Sequence, residues 1–407
     1  MKNIKLLPLV LLLWSCTPEK KAEEIISDPL TARADSLAQA IIIADGHVDL
    51  PYMLQEKKII ISEATIDTLV ETTMGEFDFV RAKKGGLDAP FMSIYIPVKD
   101  QEAPGYGKAL ADSLIGQVES IIRLLPDKFA AAGTPEDVIR NSRDGKISLP
   151  MGMENGAPIG KDLANLKYFY DRGIRYITLT HNKDNQICDA SGDKTHTWNG
   201  LSPFGKKVVA EMNRLGIMVD VSHVDDSTFH QVMKISKAPV IASHSSCRHF
   251  APMVKRDLTD DMIARMKHNG GVVMINYYPS FLDSTARRLS GELSELLKSK
   301  GLKEEDAAAE PIIRKFRETH PNPVNVETVA NHIDHVVKIA GIDHVGLGSD
   351  YDGVGGNLPA GLEDVSTYPV LIRELLKRGY SDSDIEKICS GNLFRVWNKV
   401  TELSNSK

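Results

Sequence analysis

The chain has 407 residues, 42% of them hydrophobic and 26% charged, with 49 basic against 55 acidic side chains and a formal net charge of -6. That length allows one large domain or two ordinary ones, and the composition is that of a soluble globular protein. The negative balance and the absence of a basic run give no indication of a nucleic-acid partner, and no segment after the N-terminus is long and apolar enough to span a bilayer.

Residues 1–15 read as an export signal, with a basic start at Lys2 and Lys5 and an apolar stretch from Leu6 to Trp14. The stretch ends Leu13-Trp14-Ser15-Cys16, which resembles a bacterial lipoprotein signal. That resemblance implies lipidation of Cys16 and a lipid anchor in the bacterial cell envelope, facing the periplasm or the outer surface. Residues 16–35 are expected to form a polar tether, and residues 36–403 a single domain. Once Cys16 is lipidated, Cys188, Cys247 and Cys389 remain, so at most one disulfide is expected and the core must hold the fold.

Short apolar runs at 41–45, 91–96, 147–153, 174–180, 217–222, 238–243, 271–277 and 344–349 read as strands. Amphipathic stretches lie between them. Leu110 to Leu125 is one; Asp162 to Arg172 is followed by Gly173; Pro203 to Leu215 is followed by Gly216. Thr259 and Asp260 supply a cap before Met262 to His268. Strands alternating with helices predict an α/β fold, a parallel (β/α)8 barrel. Residues 52–90 and 279–324 are expected to be insertions, the second a set of surface helices covering the site or a partner subunit.

In such a barrel, functional groups sit at the C-terminal ends of strands. The first strand leads into Asp45-Gly46-His47-Val48-Asp49, which puts an imidazole and a carboxylate on one side of an extended backbone. Later strands end at Glu154, His181, His223, His244 and Asp350. Gathering so many polar groups at one face without a partner costs several kcal/mol each. A metal centre removes that cost. The other eight histidines (196, 230, 249, 268, 320, 332, 335 and 344) lie mostly in helical or loop stretches and read as structural. His47, Asp49, His223 and His244 provide two ligands for each of two metal ions, with Glu154 placed to bridge them. Imidazole with carboxylate suits zinc, and manganese or cobalt also fit. A hydroxide between the ions is the expected nucleophile, and Asp350 the expected proton acceptor.

The runs Asp45–Pro51, Glu154-Asn155-Gly156, Leu179-Thr180-His181, Leu201–Gly205, Val219–His223, Ser243–Ser246, Gly271–Asn276, His332–His335 and Gly348–Gly353 resemble, in order, those of the membrane (renal) dipeptidases. The resemblance spans about residues 38–400. It implies a binuclear zinc barrel that cleaves dipeptides, with His47 and Asp49 on one zinc, His223 and His244 on the other, and Glu154 between. It further implies that His181 holds the substrate's carbonyl oxygen, that Arg256 pairs with its carboxylate, and that the protein forms a homodimer. The charged loop Asn182–Gln186 departs from the mammalian pattern. Alternatives are an amidohydrolase acting on N-acyl amino acids or another small amide, and, in a different class, a non-catalytic peptide-binding lipoprotein. The complete set of candidate ligands disfavours the latter.

Overall fold

The computed structural model describes residues 28–405 apart from 305 and 307. The expected export signal, Cys16 and most of the expected tether lie outside the described residues.

The apolar runs become eight parallel strands: β1 (Ile43–Val48), β2 (Leu87–Tyr95), β3 (Met151–Glu154), β4 (Ile174–Thr178), β5 (Met218–Asp220), β6 (Ile241–Ala242), β7 (Val272–Ile275) and β8 (Val345–Leu347). They pair in chain order, and β8 returns to β1 with Asp45 opposite Leu347, so the ring is closed. All six residues of β1 are buried, as expected of a sheet covered on both faces. Helices occupy the outside. Pro203–Leu215 starts where Ser202 accepts a hydrogen bond from the Gly205 amide and stops at Gly216, whose φ of 82° few other residues adopt readily. Asp260–Asn269 starts the same way on Thr259.

A cluster of Phe91, Tyr176, Met218 and Met274 fills the ring from within and meets Trp397 of the last helix, Asn392–Asn405. The Phe91 ring lies 5.1 Å from Trp397 and 5.4 Å from Tyr176. One end of the barrel is thus plugged with aromatic and sulfur side chains, and its polar residues are left for the other end. The larger core lies between strands and helices.

Some expectations need correction. The strand expected at 91–96 is β2 and starts at Leu87; its first residues are missed in the sequence because Asp88 and Pro90 look like loop residues. Asp88 is instead buried, accepting hydrogen bonds from the Ile43 amide at 3.1 Å and the Ser142 hydroxyl at 2.8 Å. The run 147–153 is two strands: Ile147–Ser148 pairs with Phe129–Ala130 outside the barrel, and β3 starts after Pro150. Residues 29–35 are not tether but the first part of helix Pro29–Ala40, with Ala34 and Ala38 buried. The insertion at 279–324 does form helices, Pro279–Leu282, Ser284–Ser299 and Glu310–Thr319, around a small core of Leu293, Leu297 and Ala309. Cys188, Cys247 and Cys389 are all buried free thiols.

Candidate active site

At the open end of the barrel the chain turns sharply after several strands. His223 and Asp350 adopt φ of 67° and 68°, in the left-handed region that most side chains avoid and that recurs at functional sites. Asp49 lies one residue past β1, at the first position before the next helix, and its carboxylate makes no capping bond to that helix but faces His47. Gly353 is required here, since a Cβ would come 2.3 Å from Asp49 Oδ2 and 2.7 Å from Asp350 Oδ1.

These turns bring the expected residues together around Glu154. Its Oε2 lies 3.4 Å from His47 Nε2, which is itself 3.2 Å from Asp49 Oδ2. Its Oε1 lies 3.0 Å from His223 Nε2 and 3.3 Å from His244 Nε2, and these two nitrogens are 3.0 Å apart. Each oxygen of one carboxylate thus faces a different pair of candidate ligands. His181 Nε2 stands 3.6 Å from the same Oε1. Asp350 Oδ1 is 3.9 Å from His47 Nε2.

Neighbouring hydroxyls orient two of the imidazoles. Tyr176 donates its hydroxyl to the Gly46 carbonyl at 2.9 Å, so at 2.9 Å from His47 Nδ1 its oxygen accepts Nδ1–H. Ser243 donates to Asp220 Oδ2 at 2.6 Å, so its oxygen accepts from His244 Nδ1 at 2.7 Å. Both rings then turn Nε2 into the site as a lone-pair donor, in the manner of outer partners of metal-binding histidines. Sequence reasoning assigned no role to Tyr176, which reads as an ordinary core aromatic within β4. It also passed over Tyr95 and Asn276, whose positions at the ends of β2 and β7 were the available signal.

Burial, reinforced by neighbouring positive groups including Arg256, holds His223 and His244 well below the ordinary imidazole range and therefore neutral. For His47 burial works the same way, but Tyr176, Asp49 and Glu154 outweigh it and raise its pKa. A cation binding there must displace that proton. Burial also pushes against the charge of Glu154, yet the surrounding imidazoles hold it well below the carboxylate range. Asp350 is pushed up to about 7, by burial first and by the Asp49 charge second.

Arg256 is buried beside this group. It donates to Ser245 Oγ at 2.6 Å and to the His244 carbonyl at 2.7 Å, while its Nε has no partner among the described residues. A cavity of about 970 Å³ opens above, between Asp350 and Gly353 on one side and Tyr278, Ile313, Arg314 and Arg317 on the other. The insertion helix Glu310–Thr319 therefore faces the site.

The donor set fits a metal. His47 Nε2 and Asp49 Oδ1 are buried without hydrogen-bond partners, and His47, Asp49 and Glu154 offer ligand atoms within 4.8 Å of one another, as do Glu154, His181 and His223. The sequence profile of the membrane dipeptidases, peptidase family M19, matches residues 31–407. The chain belongs to this family. The mouse protein Dipeptidase 3 is 33% identical over 387 residues, covering 93% of this chain and 68% of that protein. Among solved structures, the probable dipeptidase PvdM of Pseudomonas aeruginosa superimposes with a TM-score of 0.78 at 28% identity, over 92% of this chain and 99% of that one. A metallo peptidase of Rhodobacter sphaeroides, liganded with a phosphinate mimic of the dipeptide L-Ala-D-Ala, gives 0.72 at 27% identity over 88% and 99%. The chain is thus a dipeptidase-type, metal-dependent hydrolase. No described helix is long and apolar enough to cross a membrane.

Proposed function

We propose that this M19 hydrolase cleaves dipeptides at a site for two zinc ions, one held by His47 and Asp49, the other by His223 and His244, with Glu154 touching both. The observation that carries this reading is the division of labour at Glu154, whose Oε2 faces His47 and whose Oε1 faces His223 and His244. Bound there, zinc supplies a Lewis acid and brings the pKa of water toward neutrality. Asp350 takes the proton of the attacking water and hands it to the leaving amine. With the Tyr95 hydroxyl donating to His181 Nδ1, 3.5 Å away, Nε2–H is left to hold the carbonyl oxygen as it gains charge. Arg256, with an unused Nε–H, pairs with the substrate carboxylate. The phosphinate-liganded relative supports a dipeptide as substrate.

The test is hydrolysis of a dipeptide panel with metal content measured on the same sample. Two zinc per chain, cleavage of free dipeptides and no cleavage of their N-acetylated forms would establish the reading. Cleavage of the acetylated forms would transfer it to N-acyl amino acids. We further propose a homodimer, exported and lipid-anchored through Cys16; a Cys16→Ala chain that still partitions with membranes would refute the anchor.

A further inference from the structure

Outside the active site, three ligand-type side chains from separate elements meet at the surface. His249 follows β6 in the loop that also carries Arg256. Asp260 opens helix Asp260–Asn269, and His335 lies on helix Val326–Ala340. Their ligand atoms lie within 4.8 Å of one another. The His249 and His335 rings stack with centroids 4.4 Å apart and planes 21° from parallel, and His335 Nε2 is 2.8 Å from Asp260 Oδ1.

A nearby histidine shows what a purely structural role looks like. His332, one turn earlier on the same helix, is buried; its Nδ1 accepts from the Cys247 amide at 3.0 Å and its Nε2 donates to the Leu282 carbonyl at 3.0 Å. Neither ring nitrogen of His249 has such a partner among the described residues, and His335 Nδ1 has none either. Asp260 sits in the first turn of its helix. Two imidazoles and a carboxylate make a borderline-soft set with room for water as a fourth ligand, which suits zinc, copper or nickel and not calcium or magnesium.

We propose that His249, Asp260 and His335 form a second, peripheral site for a divalent transition-metal ion, separate from the active centre. A bound ion fastens the 245–258 loop to two outer helices. That loop is already cross-linked internally by Arg256 to Ser245 and by Arg248 to the Leu258 carbonyl through its backbone amide. The ion therefore stiffens the segment that carries Arg256 without touching the reacting groups. The proposal stands whether or not the substrate assignment does.

The test is equilibrium dialysis of the purified protein against zinc chloride, with zinc counted per chain in wild type, His249→Ala and His249→Ala/His335→Ala. We expect the wild type to take up one zinc more than either variant at micromolar free zinc. Equal zinc uptake by wild type and His249→Ala would overturn the proposal. So would an extra zinc that persists in Asp260→Asn with undiminished affinity.

Discussion

Asn276 donates its side-chain amide to Asp350 Oδ2 at 2.8 Å, and so turns Oδ1 toward His47 Nε2 at 3.9 Å. One oxygen of the carboxylate is held by the end of β7, and the other faces the site. This arrangement lets Asp350 act on a proton without rotating, and it survives replacement of the acid by its amide, whose carbonyl still accepts from Asn276.

Asp350→Asn is therefore expected to keep its metal while kcat falls about 10²–10⁴-fold, the usual worth of a positioned proton acceptor. Turnover and metal content on one preparation decide it, and retained turnover would remove Asp350 from the reaction. The wild type should lose kcat/KM on acidification as Asp350 becomes protonated. Burial raises the Asp350 carboxyl to about 7 in the metal-free site, and bound cations place the kinetic midpoint below that.

Glu154→Gln should weaken both metals together, because its two oxygens face different ligand pairs. Metal titration would show two losses of similar size. Loss of a single ion would argue that Glu154 serves one pair alone.

Tyr176→Phe removes the hydroxyl that accepts from His47 Nδ1 and leaves the ring in the barrel core. Metal affinity should fall about 10–100-fold with little change in stability. Ser243→Ala should act likewise through His244. Chelator competition measures both, and an unchanged affinity would show that ring packing alone orients these imidazoles.

His332 tests the fold rather than the reaction. Burial depresses its pKa to about 4, from an ordinary 6.5. The unfolded chain then binds the extra proton between those values, so stability is full above pH 6.5 and declines as pH falls toward 4. The loss approaches about 3 kcal/mol. Denaturant unfolding of wild type and His332→Asn should diverge across this window; parallel curves would contradict the assignment.

The candidate site was legible in the sequence because barrel strands end where chemistry begins. His47, Glu154, His223, His244 and Asp350 each follow an apolar run, and such residues have few bland explanations together. Tyr176 was not legible, since a tyrosine inside a strand looks like core until its hydroxyl is seen to reach the next layer. The start of β2 was hidden by Asp88, a buried acid whose hydrogen-bond partners come from β1 and from helix Pro135–Arg143. His249 and His335 read as separate structural residues because only the packing of helix Val326–Ala340 against helix Asp260–Asn269 brings them together.

The closed ring has a consequence for how the protein matures. Asp45 of β1 accepts the Ser349 amide at 3.0 Å, joining opposite ends of the chain beside the active centre. His47 lies on the first strand made, Asp49 directly follows that strand, and Asp350 follows the last. Contacts this distant in sequence form late and slowly. A chain still emerging has no complete centre with which to capture a metal ion. Loading must follow closure, so metal uptake is a clock for the final step of folding.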